Sequence, residues 1–214
     1  VTKGTNRVAA MAIRRSKASV GPDGPRPHFL LADARHTGLP AASFDVIRSD
    51  RILQDNDDPQ EILGECVRLL RPGGRLALFE IDWRTLLLEP AERRLTAAIV
   101  TSWIDRFPRG SLGHEIPGLC LDLGLEGLSV ALETLLVRSY YLSQHLFRLV
   151  EMVEHAMRTG AVTGEEGPRW LERLRQADDA RFFASVAGFA IRVTKPCSHG
   201  APAAVPDLAD AVLT

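Results

Sequence analysis

Residues 44–81 read FDVIRSDRILQDNDDPQEILGECVRLLRPGGRLALFEI, and this stretch decides the fold. Phe44-Asp45-Val46-Ile47 is a short apolar strand. Asp58 stands as a helix N-cap, with Pro59 at the first helical position and Glu61 three residues after the cap, so a helix starts there. Ile62, Leu63, Cys66, Val67 and Leu70 recur at helical spacing and give it one apolar side. Arg71-Pro72-Gly73-Gly74 stops it, and Arg75 to Ile81 reads as a second strand. Strand, helix and strand within about 40 residues make a βαβ unit. Its crossover makes the two strands parallel and right-handed, and the fold class is therefore α/β.

On the amino-terminal side, Phe29-Leu30-Leu31-Ala32 has the length and look of a strand buried on both faces, ending in Asp33. Leu39 to Ser43 is a turn, and a loop at Gly21 to Pro25 separates the strand from a short basic helix over Arg7 to Lys17. On the carboxyl side the period is helical from Arg84 to Arg106, with Phe107-Pro108-Arg109-Gly110 closing it, and again from Ser143 to Arg158. Leu125 to Val137 suits a strand, Trp170 to Arg181 a helix, and Phe182 to Val193 one last long strand with antiparallel pairing as an option. The expected organisation is one domain over 1–195, with helical cap elements within 84–181. Pro, Ala and Gly dominate 196–214, which is expected to be a mobile tail.

The 214 residues are 45% hydrophobic and 25% charged, the profile of a globular chain that needs no disulfide or metal staple. With 26 Lys+Arg against 27 Asp+Glu the formal charge is −1, too weak a field for a dedicated nucleic-acid or anionic-membrane binder. Cys66, Cys120 and Cys197 form no C-x-x-C pair, so a reducing, cytoplasmic location is expected. No run of 18 apolar residues exists, which argues against a membrane span. His114-Glu115 opens like a zinc-protease helix, but Pro117 and Gly118 stand where the second His is required, and no metal is expected.

Ala32-Asp33-Ala34, Leu39-Pro40, Ser43-Phe44-Asp45-Val46, Ser49-Asp50-Arg51-Ile52-Leu53-Gln54, Asp58-Pro59 and Arg68-Leu69-Leu70-Arg71-Pro72-Gly73-Gly74-Arg75 occur in this order and spacing. Together they resemble the class I S-adenosylmethionine (SAM) dependent methyltransferases of the ubiquinone/menaquinone-biosynthesis kind. Leu123-Gly124-Leu125 and the strand before Lys195-Pro196 agree with it. The resemblance implies a Rossmann-like sheet in strand order 3-2-1-4-5-7-6 and SAM as cofactor. It also implies that Asp33 accepts from the adenine amino group, that Ala34 offers its N–H to the ring, that Arg48-Ser49 runs under the sulfonium and methionine portion, and that Leu53 and Gln54 close over it.

In an open parallel sheet, ligands sit beyond the carboxyl ends of the strands, so Asp33, Ser49 and Asp82 are expected to converge on one crevice. Relatives often carry a His after the Leu-Gln pair, but Asp55-Asn56 stands here. Asp82, followed by Trp83, is then the best-placed carboxylate to accept a proton or steer a cationic acceptor, a solvated strand-end Asp being the bland alternative. Trp83, Trp103, Phe107, Tyr140, Tyr141, Phe147 and Trp170 are either an aromatic lining for a small-molecule methyl acceptor or ordinary core. His114 and His145 are further candidates to face the acceptor.

The family's glycine-rich turn after the first strand and its acidic residue after the second do not precede the basic helix: the first strand, its turn and its helix are missing, a deficit of at least about 30 residues, and residues 1 to 6 are at best a stub of the second strand. The chain reads as an amino-terminally truncated domain on that account. Without those strands a gap of about 14 Å would open between the third and fourth strands. Three outcomes are expected to close it: Phe29–Ala32 pairs with Phe44–Ile47, or the first 40 residues are poorly ordered, or a homo- or hetero-dimeric partner supplies strands. Two functions stay open: methyl transfer to a small organic acceptor, or a catalytically silent homologue acting as a binding or regulatory subunit. An NAD(P)-dependent reductase ranks far behind, because Tyr140 and Tyr141 lack the Tyr-x-x-x-Lys partner.

Overall fold

Among the described residues, Asp58 begins the first α-helix as its sequence context requires. Its Oδ1 accepts the N–H groups of Gln60 and Glu61, each at 3.1 Å, which satisfies two of the donors that every helix start leaves open. In this computed structural model, which describes residues 28, 30–177 and 181–197, that helix is α1 (Pro59–Leu69). It buries Ile62, Leu63 and Leu69 against the sheet. At its far end Lys195 Nζ donates to the carbonyls of Val67 (2.7 Å) and Leu70 (2.8 Å), capping groups with no acceptor role inside the helix.

β1 (Phe44–Asp50) and β2 (Leu70–Glu89) flank α1 and pair in parallel, from Val46↔Arg75 to Asp50↔Phe79, so the βαβ unit is as expected. Gly73 makes the turn before Arg75 with φ +77°, a left-handed conformation that glycine adopts without strain. β4 (Phe183–Thr194) lies antiparallel to β2 on one side and to β3 (Glu126–Val137) on the other. The sheet order is β1-β2-β4-β3, the 4-5-7-6 half of the order that the resemblance implies.

Four expectations change. Leu30 to Ala32 form no strand: Leu30 and Leu31 are 61% and 77% exposed, and only a bridge from Asp33 to His36 marks this stretch. Phe29 and Arg7–Lys17 lie outside the described residues, as does 198–214 of the expected tail. Residues 84–89, expected to be helical, extend β2, with Leu86 and Leu88 buried and Leu87 exposed in the alternation of a strand. The helix there is α2 (Arg93–Ile104). A short α3 (Ile116–Asp122) appears where no helix was expected, and the helix expected over Ser143–Arg158 is two, α4 (Tyr140–Phe147) and α5 (Leu149–Arg158), divided by Arg148 at φ +57°. The last helix, α6 (Glu166–Arg175), starts and ends earlier than Trp170 to Arg181.

Apolar burial concentrates in two clusters that share β2 and β4. One gathers Leu53, Leu63, Leu76, Leu78, Leu112, Ile116 and Ile191 beneath α1 and α3. The other packs α2, α5 and α6 on the outer part of β2 around Trp103, Phe147, Trp170 and Phe182. Those tryptophans and Phe147 are fully buried, which makes them core and not an open acceptor lining, while Tyr141 is 74% exposed. The opposite face of the sheet carries a shallow cleft lined by Arg48, Ala77, Phe79, Ala131, Ala190 and Arg192. Residues up to Gly38 and those from Leu39 onward form two separate compact units.

Candidate functional site

The site lies at the carboxyl ends of β1 and β2. Past Asp50 the chain reverses at Arg51, whose φ is +52° and whose N–H donates to the Phe79 carbonyl at 2.8 Å. The reversal turns two successive amides, those of Ile52 and Leu53, onto one oxygen of Glu80, Oε1, each at 2.8 Å. Glu80 follows Leu76 and Leu78 on the covered face of β2 and is only 1% exposed. Burial pushes its carboxyl up to about 7, against the pull of the Leu53 and Ile52 amides. Among the described residues its other oxygen, Oε2, has no hydrogen-bond partner, and neither has the buried Ser49 Oγ at the end of β1.

Leu53 and Gln54 enter a 3-10 turn (Leu53–Asp55) and are both buried. Gln54 Oε1 accepts the indole N–H of Trp83 at 3.1 Å, and its backbone carbonyl accepts the N–H of Arg109 at 3.3 Å. Trp83 in turn lies parallel to Phe107, ring centres 6.2 Å apart, and edge-on to Trp103. Leu53 and Gln54 thus tie the loop after β1 to the core under it.

Asp82 stands where β2 departs from regular register with β4, between Asp82 and Leu87. Its Oδ1 accepts the Arg84 N–H at 2.9 Å, and its Oδ2 lies 3.0 Å from His114 Nδ1. The Asp82 side chain is 8% exposed and that of His114 is 47% exposed, so a buried carboxylate holds a half-open imidazole. A 3-10 turn (Leu112–His114) brings the histidine in. Gly113 allows that approach: a Cβ there would stand 2.7 Å from Phe189 Cδ2 and 3.5 Å from the Glu80 carbonyl oxygen. An ion pair between Arg109 and Glu115 at 2.9 Å braces the turn.

The other expected site residues are placed differently. Arg48 and Ser49 project from opposite faces of β1: Ser49 is buried, whereas the Arg48 side chain is exposed and pairs with Asp50 at 3.3 Å. In the unit that ends at Gly38, Asp33 neighbours Ala34 in a turn, and its carboxylate accepts the backbone N–H (3.0 Å), Nε (3.0 Å) and Nη2 (2.7 Å) of Arg35. Those hydrogen bonds hold its carboxyl well below the usual carboxylate range. Glu80 was not anticipated. Its signal was an acid at the inward period of an otherwise apolar strand, Leu76-x-Leu78-x-Glu80.

A parallel βαβ pair continued by two antiparallel strands in the order β1-β2-β4-β3 defines the Rossmann-like sheet of class I methyltransferases. The family model described as a methyltransferase domain matches residues 4–78. The chain is 31% identical over 162 residues to an uncharacterized 37.1 kDa protein in transposon TN4556 of Streptomyces fradiae, covering 75% of this chain and 46% of that one. It is 34% identical over 107 residues to Methyltransferase GfsG of Streptomyces halstedii, covering 49% of this chain and 37% of the relative. The chain spans less than half the length of both. The solved structure of the YcgJ protein from Bacillus subtilis shares the fold with a TM-score of 0.53 at 15% identity, over 93% of this chain and 80% of that one. Residues 4–78 thus match a methyltransferase domain, and the described sheet is the Rossmann-like one of that class. No helix among the described residues is long and apolar enough to cross a membrane.

Proposed function

We propose that the chain serves SAM-dependent methyl transfer to a small organic acceptor, at the carboxyl ends of β1 and β2. The observation that carries this reading is a pair of buried oxygens without donors, Ser49 Oγ and Glu80 Oε2, on the covered face of the two strands. A buried acceptor lacking a donor costs about 1–3 kcal/mol, and a ligand bearing an ammonium group supplies what both lack. The methionine end of SAM is such a ligand, and Ser49 and Glu80 would hold it. By family resemblance Asp33 and Ala34 are proposed to recognise an adenine ring, and within their own unit the Asp33 carboxylate is already engaged by Arg35. SAM, when bound, supplies a methyl group activated on a sulfonium.

The chain's own part is to orient and to exclude water. Leu53, fully buried with its N–H on Glu80, and Gln54, locked to Trp83, fix the loop that follows β1. A formal charge of −1 supports a small acceptor over a nucleic acid, whose phosphates need a strong basic field. Titration calorimetry with SAM and with S-adenosylhomocysteine tests the proposal. Saturable micromolar binding is expected, weakened about tenfold or more in Ser49→Ala through loss of one charge-assisted hydrogen bond. No heat of binding with either compound refutes it.

A further inference from the structure

The methyl-transfer reading leaves one question that the geometry answers: where the acceptor's proton goes. Neither Asp55 nor Asn56 is a histidine, and Asp82 itself is buried with both oxygens engaged, one by the Arg84 amide and one by His114. We infer that His114 is the general base of the site and that Asp82 is its positioning residue. This rests on the proposed methyl transfer and extends it to a residue 32 positions from its partner.

Three features carry the inference. Nδ1 of His114 faces a buried carboxylate at 3.0 Å, so in the neutral ring Nδ1 carries the hydrogen and Nε2 keeps a free lone pair. A histidine serving only to neutralise a buried acid would be covered with it, yet 47% of the His114 side chain is open. Lastly, the pair is held rigidly: Asp82 by the Arg84 amide, its own carbonyl by the Thr85 hydroxyl at 2.7 Å, and His114 by the close seat of Gly113 on Phe189. A buried carboxylate and a half-open imidazole in series are the arrangement that general-base catalysis uses elsewhere.

The step balances. A lone pair of the acceptor's oxygen or nitrogen forms the bond to the methyl carbon, and the carbon–sulfur pair stays on sulfur, leaving S-adenosylhomocysteine. The O–H or N–H pair remains on the acceptor atom while its proton passes to Nε2. The resulting imidazolium is held by the Asp82 carboxylate and releases the proton to solvent through its open side.

Nitrogen-15 NMR of the full chain tests this without any acceptor. At a pH where the ring is neutral, the wild type is expected to carry the hydrogen on Nδ1 and leave Nε2 unprotonated, and Asp82→Asn, which donates as well as accepts, to lose that preference. Diethyl pyrocarbonate, which acylates a free imidazole nitrogen, is expected to modify His114 several-fold more slowly in Asp82→Asn. His114→Gln, a change at a half-open side chain, is expected to keep SAM affinity within about twofold by calorimetry while kcat falls about 100-fold or more. Nε2 found protonated in the neutral wild type, or equal acylation rates, overturns the role of His114 alone. A wild-type chain that binds no SAM overturns the methyl-transfer reading, and this role with it.

Discussion

Glu80→Gln is expected to remove a pH dependence of stability that the wild type carries. Burial raises the Glu80 carboxyl from 4.5 to about 7 in the folded chain, while the unfolded chain keeps the ordinary value. Between those two values the folded state holds a proton that the unfolded state has lost, so stability falls as pH rises. The contribution is full below about pH 4.5, declines through the window, and is gone above about pH 7. At 1.36 kcal/mol per pH unit the loss is about 3 kcal/mol, a large share of the 5–15 kcal/mol that holds a typical domain together. The amide of Gln still accepts from Ile52 and Leu53 but places an NH₂ where Oε2 has no partner, an offset of about 1–3 kcal/mol that does not vary with pH. The slope is therefore the quantity to compare. Urea unfolding of both proteins at about pH 5, 6, 7 and 8 measures it, with the wild type expected to lose about 2–3 kcal/mol relative to the variant. A difference constant to within about 0.5 kcal/mol across that range would refute the placement of a buried, proton-holding Glu80.

Asp58→Ala leaves the Gln60 and Glu61 amides without their shared acceptor and should cost about 1 kcal/mol in the same denaturation assay. Gly113→Ala drives a methyl to within 2.7 Å of Phe189, so a loss of about 1–3 kcal/mol is expected, along with altered NMR signals of His114. Trp103→Ala empties the centre of the outer core, where the indole is 1% exposed and contacts Trp83, Phe107 and Arg106. A loss of about 3–5 kcal/mol should appear as a large drop in Tm.

What was legible in the sequence was local. The Asp58-Pro59 start and the Pro72-Gly73-Gly74 stop involve residues within a few positions of one another, and they located α1 and its two strands. The extension of β2 through residues 84–89 was hidden, because its pairing partners are Phe183, Ala184 and Ser185, far along the chain and outside any local window. The break at Arg148 is a backbone conformation that its side chain does not announce. For the site, Asp82 and His114 were each visible as chemistry, but their 3.0 Å contact is made by the fold. Leu53 and Gln54 were recognised by position in a motif. That they bury themselves and grip Trp83 follows from packing that no motif records.

The Lys195 cap has a kinetic consequence. Its ammonium reaches carbonyls 128 and 125 positions earlier in the chain, at Val67 and Leu70. The βαβ unit carries its own start and stop signals, and the residue that follows β4 adds a brace to the end of α1. Contacts of such long sequence separation form slowly, because the loop between them must close first. The brace on the last turn of α1 therefore forms only once β4 has docked beside β2, which couples the end of that helix to a residue 125 to 128 positions further along the chain.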